Sequence, residues 1–368
     1  MQTCALRAVA SVAAILLSVG MGTAWAQNEI FVDNSRSSSV TVYSRTANGN
    51  IAPLRTLSGA ATGLNSPEGL AVDAVNNELF VANDFPANGT VTVYALTANG
   101  NVAPLRTIAG AGTGMDTPRG LAVDTVNNEL VVVQVSTPAI TVYARTASGN
   151  VAPLRTIVGA ATGLNGPIGI SVDTVNNELA VTNIGANTIT VYSRTANGNV
   201  APLRTISGAA TGLNGPETVV VDAVNNEVAV ANFSTPSVTV YARTANGNVA
   251  PLRTISGAAT GLSNSVGIAL DAVNNELVVA NININTLTVY ARTATGNVAP
   301  LRTISGAATG LNSPAFLAVT TGLAPPPPPP PPSAAPPANI PALDLRVLAA
   351  LALILGLMGI RATRRRNS

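Results

Sequence analysis

The chain has no histidine, one cysteine and one tryptophan, and aromatic residues make up only 3 % of it. All of its basic residues are arginines. Charge is also scarce, 10 % of residues in a chain that is 47 % hydrophobic. Without histidine, lysine or any thiol beyond Cys4, most general bases, covalent nucleophiles and soft-metal sites are excluded. Carboxylates are what remains for acid–base work. The formal charge of +2 hides a division. Residues 27–323 carry 13 arginines against 16 acidic residues, a net charge of −3, and the positive excess lies downstream. A mildly acidic domain with no basic patch interleaved with aromatics is not expected to bind nucleic acid. No metal and no cofactor is expected.

The first 26 residues read as a secretory signal peptide. Arg7 precedes an apolar run from Ala8 to about Val19, and Ala24-Trp25-Ala26 supplies the small-x-small cleavage pattern, which makes Gln27 the expected mature N-terminus. Cys4 falls inside the removed segment and before the apolar run, unlike a lipoprotein cysteine. The mature protein is therefore expected to pass through the export machinery and to contain no disulfide.

What is abundant is repetition. The six tyrosines, Tyr43, Tyr94, Tyr143, Tyr192, Tyr241 and Tyr290, are spaced by 51 residues once and by 49 four times. A fixed period of that length signals a stacked or ring-shaped repeat fold. One copy holds four β-branched-rich runs, Gly69–Asp73, Glu78–Ala82, Thr90–Tyr94 and Pro104–Ile108, joined by Asn- and Gly-rich turns. Each copy thus predicts a four-stranded antiparallel meander. The sixth first-strand run, at Leu317, has no second strand after it, but Asn28–Asp33, Ser39–Tyr43 and Pro53–Leu57 supply the missing three at the other end of the chain. Such an offset is what a closed ring requires, and closure hides the sheet edges a linear array would expose. The expected fold is all-β: a six-bladed β-propeller over residues 27–323, closed by N-terminal strands plus the C-terminal strand.

The stretches Pro67-Glu-Gly-Leu-Ala-Val-Asp73, Asn77-Glu-Leu-Phe-Val-Ala-Asn83 and Val91-Thr-Val-Tyr94 resemble the NHL repeat and related repeats of bacterial surface and lactonase-type propellers. The resemblance spans roughly residues 28–320 and implies the fold; the architecture hosts many unrelated functions. Related lactonase-like and lyase-like propellers rely on histidine or metal ligands, for which this sequence has no matching positions.

After the ring, residues 324–339 form a proline-rich spacer. Its eight consecutive prolines, Pro325 to Pro332, give a stiff polyproline rod of about 25 Å. Residues 340–368 follow with Ile340-Pro341-Ala342-Leu343, an apolar run at 347–360 that predicts a transmembrane helix, and the arginines Arg361, Arg364, Arg365 and Arg366. This tail resembles the IPTL-CTERM sorting signals of Gram-negative bacteria, which implies handling by an exosortase-type membrane transpeptidase. Ala342 stands where that family has threonine. The arginine cluster favours a cytoplasmic C-terminus. The propeller is then expected outside the inner membrane, either anchored by the helix or processed to the outer surface or extracellular matrix.

Two sets of charged residues recur in every copy. Asp73, Asp124, Asp173, Asp222 and Asp271 each precede an Asn-Asn-Glu turn, with Thr320 in the sixth place. Calcium ligation is one reading. Capping of the hairpin turn is favoured, because the motif lacks the dense oxygens and central glycine of a calcium loop. Arg55, Arg106, Arg155, Arg204, Arg253 and Arg302 are expected on the outermost strand, as guards against edge-to-edge pairing.

Comparison of the copies locates the variation. The turns between strands one and two and between three and four barely change. The second-to-third connections and the residue opening the first strand (Glu68, Arg119, Ile168, Glu217, Val266, Ala315) differ throughout. In a propeller both sets lie on one face, around the channel mouth. Glu68, Arg119, Glu217, Asp84, Phe85, Phe233 and Arg36 are therefore the candidate ligand-binding residues, with drift in tolerant loops as the alternative. No catalytic residue is assigned. The leading expectation is a non-enzymatic binding or scaffold module for a polysaccharide or protein. The alternatives are a hydrolase or lactonase-like enzyme using Glu68 and Glu217, and a purely structural surface protein.

Overall fold

The computed structural model describes residues 28–84 and 89–320. The signal peptide with Ala24, Ala26 and Gln27, the side chain of Phe85, the proline spacer, and the tail with Ile340 to Leu343 and Arg361 to Arg366 lie outside them. No helix among the described residues is long and apolar enough to cross a membrane.

Six four-stranded antiparallel sheets form the described chain. The inner strands are Pro67–Asp73, Pro118–Asp124, Pro167–Asp173, Pro216–Asp222, Ser265–Asp271 and Pro314–Thr320, which open blades one to six. The sixth inner strand pairs antiparallel with Glu29–Asn34, so the two ends of the ring share one blade as the offset repeat predicts. Its remaining strands are Ser39–Ser44 and Arg55–Ser58.

The core lies between blades. Alternate residues of a strand face opposite ways, so Ile30 and Val32 pack with Ala280, Leu287 and Val289 of blade five, while Phe31 packs with Leu79 and Val81 of blade one. The six tyrosines are buried at the same junctions. Each hydroxyl donates to a threonine carbonyl of the preceding 3-10 turn, as in Tyr143 Oη to Thr113 O at 2.6 Å and Tyr192 Oη to Thr162 O at 2.6 Å. Burial pushes these hydroxyls up to about 12.

Neighbouring blades are tied on the face formed by the invariant turns. Asp73 caps its hairpin as expected, Oδ1 accepting from the amides of Val75 and Asn76. It also meets Arg145 of the next blade at 3.5 Å, and Asp124 meets Arg194 at 2.8 Å. The series continues with Asp173–Arg243, Asp222–Arg292 and Asp271–Arg45. At the sixth junction Thr320 replaces the aspartate, and the place of the arginine is taken by buried Leu96. Both charges are lost together, which leaves neither buried and unpaired.

The outer-strand arginines do not act as edge guards. Arg55 forms a two-pronged pair with Glu29 of its own blade, both bonds at 2.7 Å, and the other five pair in the same way with Glu78, Glu129, Glu178, Glu227 and Glu276. The outer edges are instead covered by the glycine turn between the third and fourth strands of the next blade. Gly100 bridges Leu57, Gly149 bridges Ile108, and Gly49 closes the ring on Ile304.

Candidate functional site

The opposite face carries the variable residues. Each inner strand begins with a β-bulge: Pro67 pairs with Asn83 and Leu70 with Val81, so Glu68 and Gly69 together oppose Ala82. The same shift places Arg119, Ile168, Glu217, Val266 and Ala315 in bulges of their own blades. A bulge frees a backbone amide from the ladder and re-aims a side chain, here around the channel mouth. The second bulge residue is glycine in four blades because the next blade comes close. A Cβ on Gly169 would lie 2.5 Å from the Glu217 carbonyl oxygen. Thr218 and Phe316 are the exceptions.

Three of the candidate residues meet. Arg119 Nη2 lies 2.7 Å from Glu68 Oε2 and 3.8 Å from Asp84 Oδ2. Glu217 stands three blades from Glu68, across the channel, and is near enough for the charges of both Arg119 and Glu68 to act on it. It is only 7 % exposed, and its Oε2 has no hydrogen-bond partner. Burial raises its pKa from 4.5 to about 7, with Glu68 adding to the rise and Arg119 opposing it. Burial also raises Glu68, against the pull of Arg119 and with the push of Asp84.

The rest of the mouth is apolar. Ile168, Val266, Ala315 and Phe316 belong to one buried cluster, against which Val135, Ile184, Phe233 and Ile282 pack. Phe233 thus contributes to the mouth as a packing residue. Arg36 is exposed in the 3-10 turn Ser35–Ser37 and makes no ion pair among the described residues.

Asp33 was missed as a candidate. It is the single residue opposite the Ala315–Phe316 bulge and is fully buried. Its Oδ1 accepts from the Phe316 amide at 2.6 Å, while Oδ2 has no partner. Burial drives its pKa well above 3.8 and the Glu68 charge adds to the rise, although the amides of Phe316, Gly69 and Ala315 oppose it. Thr182 fills the same register in blade three, accepting from the Gly169 amide at 2.8 Å and donating to the Glu217 carbonyl at 2.5 Å. The signal was available in the sequence: Asp33 stands where the other copies have Ala82, Val133, Thr182, Ala231 and Ala280.

No group of three or more metal-ligating side chains suited to a metal ion occurs among the described residues. The repeated Asp and Glu side chains that would have formed calcium sites are instead bonded to arginines. What the mouth offers is two buried carboxyls, a Glu–Arg–Asp group and an apolar surround.

A family described as "Lactonase, 7-bladed beta-propeller" matches residues 25–161. No curated protein matches the chain. Solved structures match its fold. A nidogen/laminin complex gives a TM-score of 0.58 at 13 % identity, covering 79 % of this chain and 98 % of that one. The periplasmic gluconolactonase of Pseudomonas aeruginosa gives 0.54 at 15 % identity, covering 80 % and 99 %. A protein from Lactobacillus plantarum gives 0.53 at 18 %, covering 76 % and 82 %. At such identities the likeness is one of fold, and the chain is a six-bladed β-propeller similar to the lactonase-type propellers.

Proposed function

We propose that the protein is an exported propeller that binds a ligand at the variable mouth, displayed from the envelope by its C-terminal tail. The observation that carries this reading is Glu217. A buried carboxyl without a donor costs stability, and such a group in a native fold calls for an explanation. A ligand that completes its hydrogen bonding supplies one. Glu68, Arg119 and Glu217 interrupt an otherwise apolar ring of equivalent positions, which is the composition of a small-ligand site: apolar walls with a few placed polar groups. Supporting the display role are the leader at 1–26, the spacer at 324–339 and the sorting-like tail at 340–368. The test is a binding panel of neutral, acidic and amino sugars and of short peptides. Ligand affinity is expected to drop at least tenfold in Arg119→Ala and Glu217→Gln.

A second reading, lactone hydrolysis, is favoured by the lactonase-family match over residues 25–161 and by the gluconolactonase among the similar structures. In that reaction ionised Glu217 takes a proton from the attacking water and returns it to the departing ring oxygen, so that water and lactone give one hydroxy acid. A carboxyl with a pKa of about 7 suits a general base at neutral pH. Turnover of a lactone panel, abolished by Glu217→Gln with binding retained, would establish the enzyme. Absence of turnover with tight ligand binding would establish the binding module.

A further inference from the structure

We propose that the ligand of the mouth carries an organic ammonium group, which docks on Glu217 with its aliphatic or sugar body against the apolar surround. This rests on the mouth being a binding site and assigns the chemistry of what it takes. Arg119 Nη2 lies 2.7 Å from Glu68 and 3.8 Å from Asp84, and the Glu68 charge reaches the buried carboxyls of Glu217 and Asp33. Arg119 is already shared between two carboxyls, so an anionic ligand would compete with them, whereas a cation would pair with a carboxyl.

The independent observation is the Oε2 of Glu217, which is buried, has no hydrogen-bond partner among the described residues, and lies close enough to Arg119 and Glu68 for their charges to act on the carboxyl. The equivalent positions beside it, Ile168 and Val266, offer no donor. A ligand that brings its own donor would satisfy it. An ammonium brings several N–H donors and a positive charge, and charge-assisted bonds to a carboxylate are about twice as strong as neutral ones. A divalent metal fits poorly, because no three metal-ligating side chains converge among the described residues.

The sign of the pH dependence follows. Glu217 ionises through about pH 7 while an alkylammonium stays charged, so binding strengthens as pH rises. The charges that reach it are those of Glu68, from the inner strand of blade one, and Arg119, from blade two; Asp84, just past the second strand of blade one, and Asp33 of blade six interact in turn with Glu68. Glu68 and Asp33 are also raised, so their ionisation acts in the same sense.

The experiment is calorimetric titration of the full-length protein with n-butylammonium at pH 6 and pH 8, with 1-butanol and butyrate as controls. Nα-acetyllysine amide and glucosamine, compared at pH 6.5, assign the source of the ammonium to a lysine side chain or an amino sugar. Butylammonium is expected to bind roughly tenfold tighter at pH 8 than at pH 6, the ratio of ionised Glu217 at the two values. Glu217→Gln is expected to abolish both the binding and its pH dependence, and Glu68→Gln to weaken binding about tenfold. A neutral sugar or lactone that binds with loss in Arg119→Ala, while no amine binds, would overturn the ammonium assignment and leave the site standing. Amine binding indifferent to both Glu217→Gln and Glu68→Gln, with both variants melting as cooperatively as wild type, would overturn the assignment and the site together.

Discussion

Glu217→Gln replaces a carboxyl whose pKa rises from 4.5 in the unfolded chain to about 7 in the ring. Between those values the folded protein holds a proton that the unfolded chain has released, so stability falls as pH climbs through that window and levels off above it. A shift of about 2.5 units at 1.36 kcal/mol each amounts to about 3 kcal/mol lost between pH 4.5 and pH 7. Glutamine has nearly the same shape and does not ionise. At pH 4 the variant is expected to match wild type within about 1 kcal/mol, and at pH 8 to exceed it by about 3 kcal/mol. That difference is several degrees in melting temperature for a domain of this size. Urea and thermal melts of both proteins across pH 4–9 measure it. Asp33 and Glu68, which are raised too, act equally in both proteins and cancel to first order. Parallel stability curves across the range would refute the reasoning, since they would mean that the Glu217 carboxyl is solvated in the folded state.

On the opposite face, Glu78, Glu178 and Glu227 are held below the usual carboxylate range by their arginine partners, with burial working against the shift. Their contribution is present above about pH 4.5 and is lost as pH falls through their lowered values, so with Glu217 the wild-type optimum is expected near pH 5, read from the same melts. Restoring the missing inter-blade pair with Leu96→Arg and Thr320→Asp is a double-mutant cycle. Each single change buries an unpaired charge and destabilises, and the double variant is expected to recover about 1–3 kcal/mol of coupling, measured by urea denaturation. Tyr143→Phe removes the bond to the Thr113 carbonyl and is expected to cost about 1 kcal/mol in the same assay, with a similar cost at Tyr192.

The ring was legible in the sequence because its repeat is so regular. Tyrosines at a nearly constant interval marked the number of copies, and the orphan strand at Leu317 with its three partners at Asn28–Leu57 required closure between the termini. The mouth was legible for the opposite reason: Glu68, Arg119 and Glu217 break a position that is otherwise apolar. Which blade an arginine meets was not legible. Arg194 reaches Asp124, 70 residues earlier, only because the ring brings consecutive blades side by side. The outer-strand arginines were misjudged for a related reason, since their glutamates sit two strands away in the same blade and no local pattern pairs them. The coordinated loss of charge at Leu96 and Thr320 becomes intelligible only once those positions are known to be neighbours. Asp33 escaped notice because a lone aspartate at the end of a buried strand resembles the turn-capping aspartates that recur elsewhere. Its role depends on the Phe316 amide, freed by a bulge in a strand 283 residues away.

The most direct test of the mouth as the functional face compares substitutions on the two faces in one binding assay. Calorimetry of the full-length protein against the sugar, lactone and amine panel would use wild type, Arg119→Ala, Glu217→Gln and, on the opposite face, Val175→Ser, a position 71 % exposed. The expected result is a ligand whose affinity falls at least tenfold in both mouth variants and is unchanged in Val175→Ser. A ligand held equally by wild type and both mouth variants, or one lost only with Val175→Ser, would contradict the assignment of function to the mouth.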